Sequence, residues 1–162
     1  MAGATLRFIT PKPSDIFDLK AFEAAYLKTL NKTADAVKKD FESVTATWRN
    51  KPSFRGKRAT ARRAVATMWG NKNTWVWANE GTRPHIIKPK AGKMLRFQSG
   101  YKRKTTPGKL GSSSGGKFGS VVFSKGVRHP GTKAGRYNLV SAVKQEPILV
   151  NALQRDIDRA AS

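Results

Sequence analysis

The residues that could do proton chemistry are few and stand together in the middle of the chain. Residues 51–136 hold both histidines, His85 and His129, and a single carboxylate, Glu80. Twenty-one lysines and arginines surround them, giving this stretch a net charge of +20. Two imidazoles beside lysines can cleave RNA by general acid–base catalysis, with the basic chain holding the substrate. Each histidine, however, adjoins a proline, in Pro84-His85 and in His129-Pro130. In such turns an imidazole commonly caps backbone groups, and that structural role is the expectation here. Two histidines without a carboxylate cluster make a poor metal site, and the glycines from Gly111 to Gly116 lack the Gly-Lys-Ser/Thr ending of a phosphate loop. No zinc-finger, homeodomain or RNA-recognition signature is present. The sequence therefore predicts neither an enzyme nor a cofactor, and its chemistry is that of charge.

That charge is unevenly spread. The chain of 162 residues carries +22, yet residues 1–50 contribute only +2 and residues 137–162 contribute zero. So basic a middle repels itself and needs an acidic counterpart, either nucleic acid or the acidic face of a protein. A merely solvated basic surface is the bland alternative. With no standard reader attached, contact with a nucleic-acid backbone would follow charge or shape rather than sequence. The length suits one domain, 1–162, and apolar residues at 38% fall below the usual share. Part of the chain should thus be loop, or should bury its surface only against a partner. There are no cysteines, no apolar run long enough for a membrane span and no signal-peptide pattern, so a cytoplasmic site of synthesis is expected.

The elements that must carry this charge follow in order. Residues 1–17 read as an N-terminal arm, with a short strand at Leu6–Thr10 before Pro11 and Pro13. Residues 18–48 read as a long helix capped by Asp18, with Leu19, Phe22, Tyr26, Leu30, Thr33, Val37, Phe41, Val44 and Trp48 along one face. Residues 51–63 form a basic connector containing Arg55, Lys57 and Arg58. A hairpin is expected over 64–79, with strands at Ala64–Trp69 and Thr74–Ala78 about a turn at Gly70–Asn73, and Trp75 and Trp77 on one face. A corner follows, in which Gly81 takes an unusual backbone angle and Arg83 is held extended by Pro84. Ile86-Ile87 continues as strand, Lys88-Pro89-Lys90-Ala91-Gly92-Lys93 turns it, and Met94–Phe97 pairs in return. Residues 98–120 are a long basic loop rich in Gly, Ser and Lys, expected to be mobile in isolation. Val121–Phe123 is the last strand, and His129-Pro130-Gly131-Thr132 turns away from it. A helix begins over Tyr137–Val143, with Leu139, Val140 and Val143 inward, and restarts at Glu146-Pro147 to run through residue 160 with Ile148, Leu149, Ala152, Leu153 and Ile157 as its stripe.

Five segments in this order carry a resemblance: Glu80-Gly81-Thr82, Pro84 to Lys90, Leu95 to Phe97, Val122-Phe123, and His129 to Lys133. The sequence resembles the tail-component, or neck, proteins of long-tailed bacteriophages. In that family a long N-terminal helix and a basic linker precede the same run of motifs. Two departures stand out. Gly135-Arg136-Tyr137 replaces the Pro-Phe that often precedes the terminal helix in that family, and the 98–120 loop is longer and more basic than the pattern requires.

The resemblance implies an α+β fold, an antiparallel sheet packed on the long N-terminal helix with a short C-terminal helix and the long basic loop. It also implies a ring of six copies about the tail axis. The ring would complete the tail and join it to the head–portal assembly, touching adjacent neck, portal-adaptor or tail-tube proteins and the packaged DNA, with no membrane involved. Such a protein would be assembled in the host cytoplasm and end in the virion, as a binding protein. Arg55, Lys57, Arg58, Arg83, Lys88, Lys90, Lys102, Arg103 and Lys104 are the expected contacts to DNA or acidic partners. Gly81, Pro84, His85, Pro89, His129, Pro130 and Gly131 are the expected turn formers. Two rivals stand beside it: a nonspecific nucleic-acid-binding protein, and a ribonuclease using His85 and His129.

Overall fold

The computed structural model describes residues 17–90, 92–100, 102–112 and 119–161. The strand expected at Leu6–Thr10 lies outside them. The fold is α+β: two long helices and one short one, with three two-stranded antiparallel ribbons.

Helix α1 spans Leu19–Thr45 and begins as the sequence dictates. The Asp18 carboxylate accepts the Ala21 N–H at 2.9 Å. Phe17, just outside the helix, packs on Phe22 with ring centroids 5.4 Å apart, a hydrophobic staple that fixes the entry of the chain. The apolar face of α1 is used in two ways. Its last turns bury Phe41 and Val44 in an aromatic core with Phe54, Trp75 and Tyr137. Trp75 sits at the centre, its ring 4.8 Å from both Phe41 and Phe54 and 5.8 Å from Tyr137. The rest of α1 lies along the last helix, α3, which spans Tyr137–Ala160 and runs antiparallel to it.

The seam between α1 and α3 is polar, and the sequence reading missed it. Asp40 is buried and accepts hydrogen bonds from Ser141 Oγ at 2.8 Å, from Gln145 Nε2 at 2.8 Å and from Lys144 Nζ. Farther along, Thr29 Oγ1 donates to Asp156 at 2.6 Å, and at the far end Asp18 N–H donates to the Ala160 carbonyl. Burial pushes the Asp40 carboxyl up, but the bonds from Lys144, Gln145 and Ser141 and the nearby Lys144 charge outweigh it and hold it below its ordinary value. Ser141, Gln145 and Asp156 take the most buried positions, and the residues expected inward divide: Val140, Leu149, Ala152 and Leu153 are half-buried, whereas four others face out. Leu139 and Val143 are exposed, as are Ile148 and Ile157.

Nor does α3 restart at Pro147. It is one helix of 24 residues, not a short one, with Pro147 inside it. Proline removes the N–H that would bond the carbonyl four residues earlier. Here that carbonyl belongs to Val143, which is 71% exposed, so the unpaired group lies on the solvent side of the helix, where its cost is small.

The expected 64–79 hairpin does not form. Strand β1, Phe54–Lys57, pairs instead with β2, Thr67–Gly70, and this ribbon packs on α1. The connector between them is pinned to α1: Asn31 exchanges both amide bonds with Ala59, at 2.9 and 3.1 Å, and Arg58 pairs with Asp35. Residues Asn73–Glu80 are a helix, α2. Tryptophan, valine and threonine suggest a strand, but helical spacing lets Trp75, Ala78 and Asn79 share the inward face, while Trp77 turns out and is 53% exposed. Gly81 ends α2 with φ +81°, its N–H bonding the Trp77 carbonyl.

The ends of α2 and α3 satisfy one another. A helix leaves its last carbonyls and first N–H groups without internal partners. Gly135 N–H donates to the Ala78 carbonyl and Arg136 N–H to that of Asn79, both at 2.9 Å. In return the Asn79 side-chain oxygen accepts the Asn138 N–H at 3.1 Å, capping α3 from outside. The tight approach leaves Arg136 in the left-handed region, at φ +50°.

Candidate functional site

The basic, motif-bearing stretch folds as one long antiparallel excursion from this junction. Thr82 and Thr132 pair at its foot, exchanging backbone bonds at 3.0 and 3.1 Å. Strand β3, His85–Ile87, then pairs with β6, Val127–His129. Farther out, β4, Leu95–Gln98, pairs with β5, Val121–Ser124. The expected hairpin between β3 and β4 is therefore absent, because each of these strands finds its partner on the returning limb. Between the two ribbons, residues 88–90 and 92–94 stand opposite Lys125 and Gly126, a bulge that contains Lys88, Pro89 and Lys90.

Of the residues expected to form turns, Gly81, Pro84, Pro130 and Gly131 sit at the foot and Pro89 in the bulge, but His85 and His129 lie in strands, so Val121–Ser124 is not the last strand as expected. Pro84 and Arg83 lead into β3. Gly131 has φ +88°, and a side chain there would press on the Thr82 carbonyl, so glycine is required. The two histidines, 44 positions apart, are directly paired across β3 and β6, their rings stacked at 5.0 Å and 29°. His129 Nδ1 accepts the Gly131 N–H at 3.0 Å, which assigns its proton to Nε2. His85 Nδ1 lies 2.9 Å from the Arg83 carbonyl and so carries its proton there. The RNA-cleavage reading needs these two imidazoles side by side, and they are. Each, however, commits one nitrogen to capping the backbone beside its proline. Among the described residues no group of three His, Cys, Asp or Glu could hold a metal ion.

The predicted cationic contacts divide. Arg55 and Lys57 lie exposed on β1, and Arg83, Lys88 and Lys90 lie exposed along the β3 limb. Arg58 leans on Asp35 at 3.1 Å. Lys104 donates to the Thr47 carbonyl at 2.9 Å, and with it part of the long loop docks on the core. Gly108 N–H bonds the Gly135 carbonyl at 2.8 Å, and Leu110 packs against the aromatic cluster. The 98–120 loop is thus anchored over 104–110 rather than free throughout. Tyr101 and residues 113–118 lie outside the described residues. Lys102 and Arg103 flank the anchored segment and are exposed.

Alongside these cations the excursion exposes apolar side chains that the charge count did not reveal. Ile86 is 65% and Phe123 60% exposed, and Ile87, Phe97, Val121 and Val122 are exposed with them. Among the described residues, neither β3/β6 nor β4/β5 packs extensively on a helix or on another ribbon. On α3, Leu139, Val143, Val150 and Ile157 form an exposed stripe in which the last three repeat every seven residues. Alternation of apolar and charged residues could have signalled two-faced ribbons, but the strands are only three or four residues long, too short for the period to register. No described helix is long and apolar enough to cross a membrane. The chain matches no protein-family model, no curated protein and no solved structure.

Proposed function

We propose that this chain is a structural subunit of a bacteriophage neck or tail terminus, one copy in a ring that completes the tail and joins it to the head–portal assembly. The observation that carries the reading is the uncovered excursion from Thr82 to Thr132. An isolated two-stranded ribbon is at best marginally stable in water. Here two such ribbons expose isoleucine, valine and phenylalanine beside a dense set of cations, and large apolar side chains exposed together on so short a stretch suit a contact surface. Neighbouring copies would cover the apolar residues. The cations, Arg83, Lys88, Lys90, Lys102 and Arg103 among them, would then face DNA in the channel or the acidic surface of an adjoining ring. The motif order noted in the sequence supports the same reading, and the work is binding rather than catalysis.

The test is genetic. Disrupting the gene in the phage genome that carries it should give lysates with DNA-filled heads separate from tails, the tail lengths telling a capping ring from a joining ring. Intact infectious particles would end this reading. The +20 of residues 51–136 also favours a second one, nonspecific nucleic-acid binding. It requires tight binding by the isolated chain that weakens steeply and linearly in log salt.

A further inference from the structure

A groove of about 430 Å³ runs along the α1/α3 seam, on the two helices whose sequences are nearly neutral. One of its ends is walled by Lys28 and Lys32 of α1 and by Arg155 and Arg159 of α3, each pair one helical turn apart. The single carboxylate in its lining, Asp156, is already bonded to Thr29. Lys28, Lys32 and Arg155 enter no ion pair among the described residues. The other end is floored by Ala36, Ile148 and Ala152, with Ile148 exposed into it. Formal charge in a nearly neutral region is thus gathered at one end of a concave surface, with aliphatic carbon at the other.

We infer that this groove docks a segment of a partner protein that carries carboxylates next to aliphatic side chains. Carboxylates complement the lysines and arginines by charge-assisted hydrogen bonds, and an aliphatic residue covers Ile148. The groove offers no aromatic side chain on which a base could stack, which distinguishes it from a single-strand nucleic-acid site. From position 25 to position 36 of α1 the wall runs about 16 Å, room for about five extended residues. Small side chains at Ala25, Ala36 and Ala152 let a backbone approach closely. This proposal concerns a different face from the ring-forming excursion and does not depend on it.

Fluorescence anisotropy on the full chain tests it, with a short labelled peptide of mixed Glu and Leu as probe, at about 0.15 M salt, where the Debye length is about 8 Å and long-range attraction is largely screened. K28E/R155E should weaken binding at least tenfold, about 1.4 kcal/mol. K88E/K90E changes the net charge equally but lies on the excursion, and should leave binding within about twofold. Ile148→Asn, an exposed and charge-neutral substitution that spares the core, should weaken the Glu/Leu peptide but not a polyglutamate of equal length. Equal losses in the two charge-reversed variants would mean general attraction to a +22 chain and would overturn the proposal. So would a labelled oligothymidylate whose binding depends on the groove residues more than the peptide's does. Circular dichroism of each variant confirms that it is folded.

Discussion

Removing the Asp40 carboxylate tests the polar seam most directly. In Asp40→Ala, the Ser141 hydroxyl, fully buried, and the Gln145 amide, almost so, lose their acceptor. A buried donor left unpaired costs about 1–3 kcal/mol. Lys144 adds little, because its side chain is 53% exposed and water takes over its solvation. The expected loss is therefore about 3–4 kcal/mol, a large part of the roughly 5–15 kcal/mol available to a domain. Asp40→Asn keeps the shape but turns an NH₂ toward a donor, and should cost about 2 kcal/mol. A combined Asp40→Leu, Ser141→Ala, Gln145→Leu variant removes donors and acceptor together and should recover most of the loss. Urea unfolding followed by far-UV circular dichroism reads all three. Asp40→Ala costing under about 1 kcal/mol, or a combined variant less stable than Asp40→Ala, would refute the reasoning.

The same carboxylate predicts a pH dependence with a fixed sign. Its folded-state pKa is depressed, so its contribution is complete above the unfolded value of about 3.9 and is lost as pH falls through the lower folded value. The stability gap between the natural chain and Asp40→Asn should close below about pH 4, and a gap that widens there would contradict the assignment. Trp75→Ala empties the centre of the aromatic core and should cost about 3–5 kcal/mol, whereas Trp77→Ala, on the outward face of α2, should change monomer stability by under about 0.5 kcal/mol, both by urea unfolding. Gly81→Ala forces a side chain into the left-handed region 2.5 Å from the Thr132 carbonyl, and a thermal melt should register a loss of about 1–3 kcal/mol. On the proposed neck role, replacing Lys102, Arg103 and Lys104 together by Ala should impair particle assembly while the chain itself stays folded, and unchanged infectivity of a phage carrying the variant would count against the proposed cationic contacts.

What the sequence disclosed was whatever local chemistry decides. The start and the cap of α1 follow from its apolar period and Asp18, although the helix ends at Thr45 rather than at residue 48, and Gly81 announced its own backbone angle. The extended entry through Arg83-Pro84 and the imidazoles capping backbone beside prolines were equally local. What stayed hidden depended on distant partners. Asn73–Glu80 has the composition of a strand, and it is helical because the core needs Trp75, Ala78 and Asn79 on one side. β3 pairs across more than forty residues rather than with its neighbour, a choice that short strands cannot encode by pattern. Ser141, Gln145 and Asp156 are buried because α1 offers Asp40 and Thr29 opposite them, so apolar periodicity found only part of the inward face of α3, Val140, Leu149, Ala152 and Leu153, and missed its polar centre. The cationic groove arises from the antiparallel pairing of two helices and from nothing contiguous in the chain.

The shared bonds between the ends of α2 and α3 have a mechanical consequence. Both limbs of the excursion leave the core at one point, Thr82 beside the end of α2 and Thr132 just before the start of α3. A displacement of the ribbons therefore reaches both helices at once. Because Ala78 and Asn79 hold Gly135, Arg136 and Asn138, the two helix ends must turn together or break five-residue contact together. The junction is thus a shared hinge point, and any load carried by the ribbons enters the helices through these few bonds together.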